Sequence, residues 1–87
     1  MEHRRLEEVS EYCGVPCDTI LHYIREEWIL PRDAATPVLD DEDVARVKLI
    51  WELRSEFGVN DEAIPIILNL LDQLNRIHLE LERFRTH

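Results

Sequence analysis

The sequence predicts an all-α fold with at most a minimal β wing: a winged helix-turn-helix followed by one long helix. Three observations predict it. Only two Gly and four Pro occur in 87 residues, too few for a chain of short strands and tight turns. Apolar residues recur at helical spacing in four separate stretches. The last stretch carries an unbroken heptad seam, Ala63, Ile67, Leu70, Leu74, Ile77, Leu81 and Phe84, at alternating steps of four and three. The division that follows is residues 1–58 as a helix-turn-helix domain with a short wing and residues 59–87 as a C-terminal dimerisation helix.

The first helix is expected from Arg5 to Cys13, with Leu6, Val9 and Cys13 on one face and Gly14 as its stop. Val15-Pro16 is a turn. The second runs from Cys17 to Glu27, with Asp18 favourably placed in its first turn. Ile20, Tyr23, Ile24 and Trp28 form its apolar stripe, Thr19, His22, Arg25 and Glu26 point elsewhere, and Pro31 lies beyond its end. Arg32 to Leu39 reads as a loop or a small hairpin, the one place where a strand is expected.

Asp40 or Asp41 caps a third helix, with Glu42 and Asp43 in its first turn. Val44, Val47, Ile50, Trp51, Leu53 and Phe57 give that helix a broad apolar face ending near Gly58. Arg54 interrupts the face, and snorkelling at the margin is favoured over pairing in an interface. The fourth helix is expected from the N-cap Asn60 to about Arg83, with a slight bend at Pro65 in its second turn. A second apolar row, Ile64, Leu68 and Leu71, occupies only its first half. Such a helix spans roughly 36 Å, longer than a small body, so its first half packs on its own domain while the seam runs on to pair with a second copy.

Nineteen Asp and Glu face ten Lys and Arg, for a net charge of −9. Nucleic-acid binding rests on cations that neutralise phosphates, so this balance disfavours it and points to basic protein surfaces as partners. Two cysteines, Cys13 and Cys17, with no leader-like apolar region after Met1-Glu2-His3-Arg4-Arg5, fit a reducing, cytoplasmic setting.

The residues resemble a known family in detail. Leu6-Glu7-Glu8-Val9-Ser10 with Cys13-Gly14-Val15 looks like the first MerR helix and its turn. Asp18-Thr19-Ile20 through Tyr23, then Arg25-Glu26-Glu27-Trp28-Ile29-Leu30-Pro31, looks like the MerR second helix and its glycine-leucine-leucine-proline exit. Val38-Leu39-Asp40-Asp41-Glu42-Asp43-Val44 looks like the return strand of the wing entering helix three. Within that superfamily, Ala63-Ile64-Pro65-Ile66-Ile67-Leu68-Asn69-Leu70-Leu71-Asp72-Gln73-Leu74 is similar to the MerR-like chaperone-modulator family. Pro65, where a small helix-former is expected, and a short tail are departures. The resemblance implies a chaperone modulator that binds the J-domain of a curved-DNA-binding-type co-chaperone and blocks its use by Hsp70. The alternative is a MerR-type DNA-binding transcription regulator.

The face that would read DNA offers Thr19, His22 and Arg25 beside Glu26 and Glu27, with Leu21 where DNA-binding relatives tend to carry Arg. Arg4 and Arg5 form the one basic pair and lie at a fraying terminus. Arg4, Arg5, Arg25 and Arg32 gathered into one positive strip would reverse the judgement. The acidic residues Glu26, Glu27, Asp33, Asp40, Asp41, Glu42 and Asp43 instead surround the end of helix two and the start of helix three. The partner-binding set is therefore Arg25, Glu26, Glu27, Trp28, Asp40, Asp41, Glu42 and Asp43, with Tyr12 a further anchor candidate. Against it, Trp28 fits the core better than a surface anchor, and capping accounts for one or two of Asp40 to Asp43.

Other chemistry has weaker support. Gly14 and Pro16 separate Cys13 from Cys17, and His22 or His3 would have to complete a metal site, so no metal and no cofactor is expected. His22 could serve as a pH-dependent contact, whereas nothing organises His78 or His87. No phosphate loop, nucleophile motif or facing carboxylate pair occurs, and no enzyme is expected.

Overall fold

The computed structural model describes residues 3–33 and 35–85, so His87, noted above, lies outside the described residues. The order is β1 (Arg4–Arg5), α1 (Leu6–Cys13), α2 (Cys17–Arg25), β2 (Val38–Leu39), α3 (Asp41–Ser55) and α4 (Ile64–Arg85). A mostly helical chain with one two-stranded ribbon is the fold the sequence predicts.

Each boundary has a local cause. Gly14 takes the left-handed conformation (φ 71°) that ends α1, and its N–H donates to the Ser10 carbonyl. The Pro16 carbonyl accepts from the N–H groups of Thr19 and Ile20 and starts α2. At the other end of α2 the N–H groups of Trp28 and Glu27 donate back to the carbonyls of Tyr23 and Ile24, the Schellman arrangement. That turn needs a left-handed residue, and Glu27 supplies it at φ 61°. A side chain there costs about 1–2 kcal/mol. Glu27→Gly is therefore expected to stabilise the fold by about 1 kcal/mol, raising Tm by roughly 4–8 °C in a thermal melt. α3 begins in a reciprocal capping box: Asp43 N–H donates to Asp40 Oδ1 at 2.8 Å and Asp40 N–H donates to Asp43 Oδ2 at 3.2 Å.

Four expectations need correction. Arg4–Arg5 is strand, not a frayed end leading into a helix; it pairs antiparallel with Val38–Leu39, Arg4 opposite Leu39 and Arg5 opposite Val38. The ribbon is thus closed by the N-terminal segment rather than by a hairpin within 32–39. α4 starts at Ile64, not Asn60. The Asn60 carboxamide and carbonyl oxygens accept from Ala63 N–H to form a separate turn. Pro65 then falls in the first turn of α4, where its missing N–H costs nothing. Phe57 lies beyond the end of α3 and is 71% exposed, so it is not part of that helix's buried face. Arg54 is ion-paired within its own chain, its Nε 3.0 Å from Asp61 Oδ1 and its guanidinium 5.7 Å over the Tyr23 ring.

The core joins α1 (Val9), α2 (Ile20, Tyr23), the segment after it (Trp28, Ile29), β2 (Leu39) and α3 (Val44, Val47, Ile50). Ile64 and Leu68 bring the first turns of α4 onto it, while Leu71 is 40% exposed, so the second apolar row anchors the helix at one end only. The rest of α4 leaves the body, which gives the molecule its 45 Å long dimension.

Candidate protein interface

Arg46 of α3 organises the surface at the exit of α2. Its Nε donates to the Trp28 carbonyl at 2.9 Å, and its Nη1 and Nη2 donate to the two carboxylate oxygens of Asp72 at 3.0 and 3.2 Å. One guanidinium thereby fixes the end of α2, α3 and α4 relative to one another. It holds the Asp72 carboxyl below the ordinary carboxylate value.

Around this clamp lies a shallow groove lined by Trp28, Leu30, Arg32, Asp40, Glu42, Asp43, Arg46 and Asp72. Four of the eight are carboxylates. The Asp43 backbone N–H holds the Asp40 carboxyl low, whereas burial pushes Asp43 up. Glu42, exposed, takes no part in the capping box. Leu30, 72% exposed, is the groove's apolar element. The surface carries four carboxylates and one exposed aliphatic contact point.

The expected site residues are only partly brought together. Asp40, Glu42 and Asp43 share the groove with the edge of Trp28, whose side chain is 5% exposed and belongs to the core rather than to a surface anchor. Asp41 is turned away into another hollow with Arg4, Tyr12, Val44, Ala45 and Lys48. Consecutive helical residues diverge by about 100°, which splits the acidic run. Arg25, Glu26 and Glu27 are exposed at the end of α2 and outside the groove lining. Leu30, Arg32, Arg46 and Asp72 were not singled out for this site from the sequence. Arg46 and Asp72 are 26 positions apart, so no local spacing announces them. Leu30 could have been found as an aliphatic residue left over after the α2 stripe was filled.

Three of the arginines that bear on DNA binding have acidic or aromatic neighbours. Arg4 sits 5.3 Å over the Tyr12 ring, in a hollow with Glu8 and Glu11. Arg5 pairs with Glu8 at 3.6 Å, and Arg32 stands among the groove carboxylates. His22 packs edge-on against the Trp28 ring and lies 3.7 Å from Asp61. Asp33 is held low by the Thr36 hydroxyl and the Ala35 N–H within its own turn. Cys13 and Cys17 are free and half-buried, and burial pushes the Cys13 thiol up. Among the described residues no group of three His, Cys, Asp or Glu could hold a metal ion, and no helix is long and apolar enough to cross a membrane.

Charge is divided unevenly along the chain. In α4, Asp72, Glu80 and Glu82 balance Arg76, Arg83 and Arg85, so the helix is neutral and the surplus of −9 lies wholly in the residues before it. Along α4 the seam residues Leu70, Leu74, Ile77, Leu81 and Phe84 are 56% to 80% exposed, while Ala63 and Ile67 are half-buried. Ile66, 63% exposed, adds to that face and escaped the heptad reading.

No curated protein and no solved structure matches the chain. The family described as MerR HTH family regulatory protein matches residues 5–86. With that match across nearly its whole length, and with the helix-turn-helix, β ribbon and long last helix in place, the chain belongs to the MerR helix-turn-helix family of regulatory proteins.

Proposed function

We propose that this chain regulates by binding a protein rather than by reading DNA or catalysing a reaction. In this reading it is a chaperone modulator. It holds the J-domain of a curved-DNA-binding-type co-chaperone, covers the surface that Hsp70 would use, and pairs with a second copy through α4. The observation that carries the reading is the groove beside the exit of α2, where Asp40, Glu42, Asp43 and Asp72 surround exposed Leu30. A J-domain helix rich in Lys and Arg suits such a surface by charge, and Leu30 offers the desolvated contact that charge alone lacks.

The test is titration of the purified chain with a J-domain, alongside a gel shift on duplex DNA. J-domain binding with suppression of J-stimulated Hsp70 ATPase activity is the expected result. A DNA complex without J-domain binding would transfer the reading to a transcription regulator. Glu42→Lys reverses one groove charge without touching the capping box, and is expected to weaken J-domain binding about tenfold with an unchanged melting curve. Substituting Asp41 is a control, because Asp41 lies in the other hollow.

A further inference from the structure

α4 docks on the body through Ile64 and Leu68 and then runs on past it. The docked face does not end where the body does. Leu79 stands eleven residues after Leu68, three turns on, and so repeats its place on the helix about 16 Å further out. It is 55% exposed and belongs neither to the heptad seam nor to the second apolar row. Arg76 and Arg83 flank it, and the three line one shallow hollow with Glu80 and Glu82. At 3.6 residues per turn this strip lies roughly opposite the seam, so a cover on the seam leaves it open.

Asp72 ties the strip to the acidic groove. It lines the groove beside Leu30, and it precedes Arg76 by four residues and Leu79 by seven, on the same side of α4. Groove and strip are therefore successive parts of one surface. The charge of that surface changes sign along its length, with Asp40, Glu42, Asp43 and Asp72 at the body and Arg76 and Arg83 beyond. Glu80, next to Leu79, is turned about 100° from it, and Glu82 lies 4.0 Å from Arg85 of its own helix. Each part has one exposed aliphatic side chain, Leu30 at the body and Leu79 on the strip.

We propose that this surface takes a helix of divided charge from another protein, its basic end in the groove and its acidic end against Arg76 and Arg83. A helix of about 18 residues, roughly 27 Å long, covers both parts. Only in that arrangement does opposite charge meet along the whole contact. A helix that is cationic throughout suits the groove but meets like charge on the strip, so Arg76 and Arg83 select among basic partners. The proposal rests on the reading of the groove as a site for a basic helix, and adds which basic helices it accepts.

The test uses the full chain and three peptides of about 18 residues, matched in helicity and followed by fluorescence anisotropy at physiological salt. One carries Glu in its N-terminal half and Lys in its C-terminal half, with Leu along one face. The second has the same composition with the charges interleaved. The third replaces every Glu by Lys. The divided peptide is expected to bind about tenfold more tightly than either of the others. Arg76→Glu combined with Arg83→Glu, both at exposed positions, is expected to keep the circular dichroism spectrum, remove that preference and let the all-basic peptide bind best. Equal binding of the divided and interleaved peptides would overturn the proposal, as would a preference that survives the double substitution. If the all-basic peptide binds as tightly as the divided one, and Glu42→Lys weakens both, the groove stands and the selection by the strip falls. If none of the three binds, the groove reading falls with it. A double substitution that changes the sedimentation mass of the peptide-free chain would assign the strip to contact between copies instead.

Discussion

Ile64→Ala is expected to cost about 2–5 kcal/mol of unfolding free energy, the range for truncating a fully buried aliphatic side chain. Ile64 is the first residue of α4 and has no exposed surface. With Leu68 it supplies the buried side chains by which the helix grips the core. A loss of that size is a large share of the stability of a domain this small. Urea denaturation followed by circular dichroism, at one fixed protein concentration, measures it. Ile66→Ala, two residues on and exposed, is the control and should leave the midpoint of the monomer in place. Equal losses from the two substitutions would mean that α4 is not docked through the Ile64 face.

The second large effect belongs to Arg46→Ala. The substitution removes the hydrogen bond to the Trp28 carbonyl and both bonds to Asp72. Bonds to a charged group are worth about 1.5–3 kcal/mol, but half-exposed Asp72 is screened by solvent, so a loss of about 1–2 kcal/mol is expected. Asp72 has its folded pKa below its unfolded value, so the clamp's contribution is present above the unfolded carboxylate pKa and is lost as pH falls through the folded one. The gap between parent and Arg46→Ala in urea midpoint should therefore be full at neutral pH and shrink in acid. A gap that stays constant down to pH 2 would assign the effect to packing of the Arg46 stem instead.

What the sequence made legible follows from the range over which each interaction acts. The helices, the Gly14 stop and the Asp40 cap depend on neighbours within one turn, and hydrophobic spacing with capping residues finds them. The two-row pattern of α4 was readable for the same reason, and it separated the docked face from the open one. The β1–β2 ribbon was not readable: two-residue strands show no alternation, and their partners are more than thirty positions apart. Arg54 and Arg46 were unreadable as ion-pair centres, because their carboxylates come from the turn before α4 and from α4 itself. The acidic run from Asp40 to Asp43 was legible as charge but not as a surface. Its helical winding sends Asp41 to another hollow, while Asp40 and Asp43 serve the helix end as well as the groove.

The confinement of negative charge to the body has a consequence for the solvent around it. In the proposed assembly, two bodies joined through a neutral helix would repel each other, while the proposed cationic partner would be drawn to each. Added electrolyte shortens the reach of both forces, to about 8 Å at physiological ionic strength. Under that proposal, salt favours the self-paired state and disfavours the partner-bound one, so the ionic composition of the medium would act on the two associations in opposite senses.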